Sequence, residues 1–208
     1  MENELQAVQI QTQSLKKEKT KTAFKPRIRL ANRPLSREQV KMVMLAVDNL
    51  RDASLLALGF NTGLRVSEAV SFIQDNIDWQ QGSIKIWDEK KNIYRWIYAP
   101  LETMNKLKQH INESKPAGKP VFDMSCKTLE RIIQRWTAQA IGEARSWHTV
   151  RHTYVSLSNE ANQNIGVVIQ NTGDRPATIL RYYTHLSPDY LRKAVEAKPV
   201  YIETTEAI

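Results

Sequence analysis

Two basic groups set three residues apart open the most chemically suggestive stretch of the chain. In RSWHTVRHTYVSLSNEANQNIGVVIQNTGDRPATILRYYTH, residues 145–185, His148 and Arg151 head an apolar-patterned run. On a helix that spacing puts both side chains on one face, roughly 5–6 Å apart at Cβ. Further along, Tyr182 and Tyr183 end a short helical run and precede Thr184 and His185. A cation, a proton-transfer group and a phenol at one site suit attack on a phosphodiester. Arginine grips the non-bridging oxygens, histidine moves protons or donates hydrogen bonds, and tyrosine is the nucleophile.

The elements that must position these groups can be followed from Pro34 onward. Ser36 with Gln39 fits a capping box, and Val40, Met44 and Val47 continue a helical stripe. A second helix crosses Ala53–Leu58 and stops at Asn61-Thr62-Gly63, with Gly63 as its C-terminal cap. A new helix begins near Arg65, in Leu64-Arg65-Val66-Ser67-Glu68, so that the guanidinium follows a tight turn and can point towards a ligand. Residues 77–100 have the alternation of a β-hairpin, with Ile84, Ile86, Ile93 and Ile97 on either side of a charged tip, Asp88-Glu89-Lys90-Lys91-Asn92. Helices are expected over Leu101–Ile111 and Ser125–Ala140, the latter carrying Leu129, Ile132, Ile133 and Trp136 as a packing stripe. A last helix is expected over Tyr190–Ala197, after Pro188. These elements make an α+β fold, mostly α-helical, with a small antiparallel sheet.

The chain of 208 residues can bury one good core and carry an arm or a tail. Residues 1–33 have the composition of an arm: Gln, Lys and Thr dominate, and Lys16, Lys17, Lys19, Lys21, Lys25, Arg27, Arg29 and Arg33 form a basic track. That track suits a strand lying along DNA phosphates, with Lys25, Arg27 and Arg29 as contacts, or a solvated leader. Residues 34–198 make the main domain, and residues 199–208 a tail that either frays or packs on a neighbouring subunit. No apolar run is long enough to span a bilayer, and the polar N-terminus lacks a signal-peptide pattern. Cys126 is alone, which excludes an internal disulfide and a multi-cysteine zinc site and suits a reducing cytoplasm. The net charge of +8 favours a polyanionic partner. Zinc binding through His148 and His152 is a poor alternative, since the glutamate of HExxH is missing and Arg151 lies between them.

Three separated motifs, in order, resemble the tyrosine recombinases or phage-type integrases, whose catalytic domain is shared in outline with type IB topoisomerases. Thr62-Gly63-Leu64-Arg65-Val66-Ser67-Glu68 looks like the first arginine box, His148-Thr149-Val150-Arg151-His152 like the HxxR box, and Gly173 through Tyr183-Thr184-His185 like the nucleophile box. The resemblance covers about Leu35 to Lys198. It implies that Arg65 and Arg151 clamp the scissile phosphate, that His148 shares the task or shuttles the tyrosine proton, and that Tyr183 is the nucleophile, with Tyr182 the competing candidate. The general acid would be a lysine at the hairpin tip, Lys91 fitting best and Lys90 remaining open; Glu68 would support the site. The implied reaction is metal-free and cofactor-free transesterification of double-stranded DNA through a 3′-phosphotyrosyl link. The implied assembly is a dimer per site and a tetramer in synapsis, with DNA-bending accessory proteins as further partners and a virus, plasmid or other mobile element as the source. Topoisomerase-like relaxation and a catalytically weakened DNA-binding accessory protein are the rival readings.

Two departures stand out. Asp174 occupies the place of a His or Trp, and a carboxylate there repels phosphate unless it is protonated or turned to an arginine. It can orient Arg65 or Arg151, or cap the helix that begins at Pro176; an Asp just before a Pro-initiated helix favours the cap. Secondly, members of the family carry a separate helical DNA-binding domain ahead of the catalytic one, whereas only the basic arm precedes Pro34. The expectation is a fragment of a longer protein or a minimal recombinase, binding DNA weakly and in a salt-sensitive way.

Overall fold

A computed structural model describes residues 33–183 together with Arg192 and Glu196. The basic arm with Lys25, Arg27 and Arg29, and the tail 199–208, lie outside the described residues. So does most of the expected last helix, of which Arg192 and Glu196 are helical. Among the described residues there are eight α-helices and one three-stranded sheet.

Helix α1 (Arg37–Ala46) starts with the expected reciprocal box. Ser36 Oγ accepts the Gln39 N–H at 3.2 Å, and Gln39 Oε1 accepts the Ser36 N–H at 3.0 Å. Each contact satisfies a backbone donor that the first turn would leave orphaned. Helix α2 (Leu50–Thr62) begins earlier than expected, because Asn49 Oδ1 caps the Asp52 N–H at 2.9 Å. It is the central helix: Leu55, Leu56 and Leu58 are fully buried. Helix α3 (Val66–Ser71) has Arg65 as its N-cap in an extended conformation, not as its first helical residue. Being outside the helix frees the arginine side chain to leave the scaffold.

The sheet follows in the order β1 (Ile77–Asp78), β2 (Ser83–Asp88), β3 (Ile93–Tyr98), all antiparallel. The two-residue β1, paired through Ile77 with Ile84, adds a short strand to the expected hairpin. Period-2 alternation sends Ile84, Ile86, Asp88, Arg95 and Ile97 to the inner face, where all are buried. The free edge of β3 is closed by side-chain amides. Asn171 accepts from the Tyr98 N–H and donates to the Tyr98 carbonyl, both at 2.9 Å, and Gln170 donates to the Trp96 carbonyl at 2.8 Å. These contacts satisfy strand groups that an open edge would leave unpaired.

Helices α4 (Leu101–Ser114), α5 (Cys126–Ile141), α6 (Trp147–Glu160), α7 (Ile165–Thr172) and α8 (Pro176–Tyr183) complete the domain. The expected stripe on α5 is buried, and the Trp136 indole donates to buried Asp52 at 2.8 Å. The Trp147 indole donates to the Leu64 carbonyl at 2.8 Å, tying the start of α6 to the turn before Arg65. Buried indoles need such partners. One large core joins α2, the inner sheet face, α4, α5 and the start of α6. A smaller one, Tyr154, Val155, Val168 and Ile179, fastens α6, α7 and α8 together.

Candidate active site

Arg151 is buried, and two helix ends make that possible. Helices α2 and α7 both finish at a left-handed glycine, Gly63 and Gly173, each with φ 65°. Glycine adopts this conformation without the steric penalty of a Cβ. The turns aim C-terminal carbonyls inward, and Arg151 donates one nitrogen to the Gly63 carbonyl and the other to the Thr172 carbonyl, each at 2.6 Å. Helix C-termini carry partial negative charge and favour a cation. Burial pulls the Arg151 pKa down and Asp174 opposes the shift; a guanidinium in this setting remains charged.

Arg65 stands beside it, about one quarter exposed, in a lattice of carboxylates. It reaches Glu68 Oε1 at 2.9 Å, Asp88 Oδ2 at 3.3 Å and Asp174 Oδ1 at 3.2 Å. Burial alone would lower its pKa, but Glu68, Asp88 and Asp174 outweigh that and raise it. Glu68 also accepts the Arg65 backbone N–H at 2.8 Å, so one carboxylate fixes both ends of this residue. Beneath it, Arg95 forms a two-pronged pair with Glu68 at 2.8 and 2.9 Å and donates to the Asn171 carbonyl at 3.1 Å. Burial would raise the Asp88 pKa, yet Arg65 and Arg95 hold it below its ordinary value.

Asp174 does not behave as a helix cap. The first turn of α8 is anchored by the Arg175 carbonyl, which accepts from Thr178 N–H at 2.8 Å. The Asp174 carboxylate turns instead to the arginines: Oδ1 lies 3.2 Å from Arg65 and 2.7 Å from Arg151. Two cations, one buried and one half-buried, attract it more strongly than a neutral backbone N–H would.

His148 and His152 lie on the same face of α6, one turn apart, with ring centroids 4.3 Å apart in an edge-to-face arrangement. Burial, followed by the neighbouring Arg151, lowers the His148 pKa. Burial, followed by the neighbouring His148 and Arg151, pushes that of His152 down to about 4. A cleft of about 420 Å³ brings Arg65, His148, Arg151, His152, Asp174 and Lys90 to one place. Lys90 also borders an adjoining recess with Arg65 and Asp88. Lys91, exposed at the hairpin tip, donates its backbone N–H to the Asp88 carbonyl at 3.1 Å. Tyr182 and Tyr183 close α8; their side chains lie outside the described residues.

Arg95 and Asp88 also belong to the site, and only strand parity marks them in the sequence. Asp88 is in phase with Ile84 and Ile86, and Arg95 with Ile93 and Ile97. Charged residues in the inward phase of a hairpin need partners, and here they partner each other, Glu68 and Arg65.

The chain matches the phage integrase family over residues 33–189. It therefore belongs to that family, and its fold is that of the tyrosine recombinase catalytic domain. Tyrosine recombinase XerA of Saccharolobus solfataricus is 29% identical over 154 residues, 74% of this chain and 52% of that protein. The XerA recombinase crystal structure superposes with a TM-score of 0.67 at 23% identity, covering 81% of this chain and 66% of the other. The Tn1549 transposon integrase in complex with a circular intermediate DNA gives a TM-score of 0.67 at 18% identity, over 80% of this chain and 66% of that one. The chain spans about half of the XerA relative and 60% and 62% of two further XerA proteins, from Pyrococcus furiosus and Pyrococcus horikoshii.

Proposed function

We propose that this domain cuts and rejoins DNA by tyrosine transesterification, as a site-specific recombinase or integrase. The observation that carries the reading is the convergence of Arg65 and Arg151 on one point, the Asp174 Oδ1 they share at 3.2 and 2.7 Å. A phosphate oxygen held there would receive hydrogen bonds from two guanidinium groups, the stabilisation a pentacoordinate transition state needs. His148, with its depressed pKa, is neutral near pH 7 and can accept or share the tyrosine proton. Tyr183 is the nucleophile: its oxygen bonds to phosphorus as the 5′-oxygen leaves, giving a 3′-phosphotyrosyl link. Lys90, which lines the cleft, takes the role of general acid to the 5′-oxygen ahead of Lys91. A 5′-hydroxyl then attacks the link and releases the tyrosine. Asp174 must turn away to admit the phosphate, so it regulates access.

Duplex DNA is the partner, with Lys25, Arg27 and Arg29 tracking the backbone and subunits assembling as a dimer per site and a tetramer in synapsis. DNA-bending proteins can assist that assembly, and the lone cysteine fits a cytoplasmic setting. The Tn1549 likeness supports a mobile element as the source. The test is covalent trapping on a nicked suicide duplex in chelator, comparing the wild type with Tyr183→Phe and Tyr182→Phe. A denaturant-resistant adduct lost only in Tyr183→Phe is expected. Loss only in Tyr182→Phe moves the nucleophile by one residue, and absence of any adduct with duplex binding intact overturns the enzymatic reading.

A further inference from the structure

The outer face of the sheet is unusual for a surface next to solvent. In-phase positions on β2 and β3 carry Lys85, Trp87, Tyr94, Trp96 and Tyr98, with Trp87 opposite Tyr94 and Lys85 opposite Trp96. Trp87, Tyr94, Trp96 and Tyr98 are 41%, 58%, 40% and 45% exposed. Trp87 and Tyr94 meet edge to face with centroids 4.9 Å apart, and the Lys85 ammonium lies 4.6 Å from the Tyr94 ring centre. A cleft of about 350 Å³ opens beside them, bounded by Ser71, Phe72 and Asn76. A contiguous aromatic surface of this kind marks a binding face, since isolated exposed rings alone would need no explanation.

We propose that this face is a stacking platform for unpaired nucleotides of a DNA strand. Rings repeating every second strand residue stand roughly 6.6 Å apart, room for bases to lie on them, and any base offers a π face. A paired base in a duplex is already stacked and turns only its edges outward, so the platform selects single strands. The charge fits this occupant: the outward phase of β2 and β3 holds a lysine and no carboxylate, on a chain of net charge +8. The position fits as well. Trp87 and Tyr94 are the last outward pair before the tip that carries Lys90 and Lys91, and Lys90 lines the candidate active site. The source of the strand rests on the transesterification reading: a 5′-ended strand released by cleavage must unpair for a few nucleotides before it joins a new partner. On the platform those bases are held close to the hairpin tip instead of re-pairing with their old complement.

The test is fluorescence anisotropy with a labelled oligothymidylate of about twelve nucleotides, within the span such surfaces cover, and with a duplex of the same length. The full chain is used in a Tyr183→Phe background, with chelator and fixed salt. Tyr94→Ala and Trp96→Ala are each expected to weaken single-strand binding about tenfold, with duplex binding changed less than about twofold. Trp96→Phe, which keeps a stacking ring, is expected to restore most of the affinity. Unchanged single-strand binding, or equal losses for both DNAs, overturns the proposal. So does a loss confined to self-association in sedimentation, which would make the face a protein contact. Because the readout is binding by a protein unable to use Tyr183, failure to trap an adduct in the earlier experiment leaves this result independent.

Discussion

At the scale of single residues, Asp174 is the most informative position. Replacing it with Asn keeps an oxygen acceptor but removes the charge that faces Arg65 and Arg151. Asp174→Asn is expected to tighten duplex binding several-fold at fixed salt while lowering stability by about 1–2 kcal/mol, since Asp174 itself is about one quarter exposed. Anisotropy and urea unfolding check the two halves; no change in either refutes the shared contact. His152 gives a pH signature. Its folded pKa of about 4 lies below the ordinary value near 6.5, so the unfolded chain binds more protons between those limits. Stability is therefore fully present above about pH 6.5 and falls as pH drops towards about 4. In His152→Gln the loss across that window should shrink, as followed by urea midpoints at several pH values. The importance of Asp174 was legible in the sequence, but its role was not. The two arginines it binds come from other elements, Arg65 standing 109 positions away, and local context pointed only to a helix cap.

At the scale of elements, the site is made by where helices stop. The end of α2 was readable from Asn61-Thr62-Gly63, whereas the end of α7 at Gly173 carried no such expectation. What no local pattern shows is that these two ends face each other across Arg151, a matter of packing between segments far apart in the chain. Gly173 tests the point. A Cβ there would lie 2.8 Å from both Arg95 Nε and Asp88 Oδ2, whereas one at Gly142, also left-handed at φ 72°, would meet nothing within 4 Å. Gly142→Ala should then cost about 1 kcal/mol, the conformational penalty alone. Gly173→Ala should cost clearly more in urea unfolding and should also abolish adduct formation, because Arg65, Arg95 and Asp88 share that ground. Equal costs would show that the packing around the turn yields easily. The hairpin was equally legible in outline, while the role of its charged inward residues was not. The alternation that places the isoleucines places Asp88 and Arg95 as well, but their partners Glu68 and Arg65 come from another element.

At the scale of the molecule, charge is unevenly shared. Residues 1–33 hold eight basic side chains against Glu2, Glu4 and Glu18, five of the eight net positive charges. Removing residues 2–33 should make duplex binding less salt-dependent, reducing the magnitude of the slope of log affinity against log salt by about 4. An unchanged slope would assign the phosphate contacts to the folded domain. The candidate site, by contrast, is balanced within itself: Arg65, Arg95 and Arg151 are matched by Glu68, Asp88 and Asp174. An ion such as free phosphate or sulfate would have to evict Asp174 with nothing but its own charge. A phosphate embedded in a long polymer arrives already tethered by its neighbours, at a high effective concentration, and can win that exchange. The carboxylate between the arginines is thus expected to leave the domain indifferent to small anions in its surroundings and responsive to a polyanion laid along its surface.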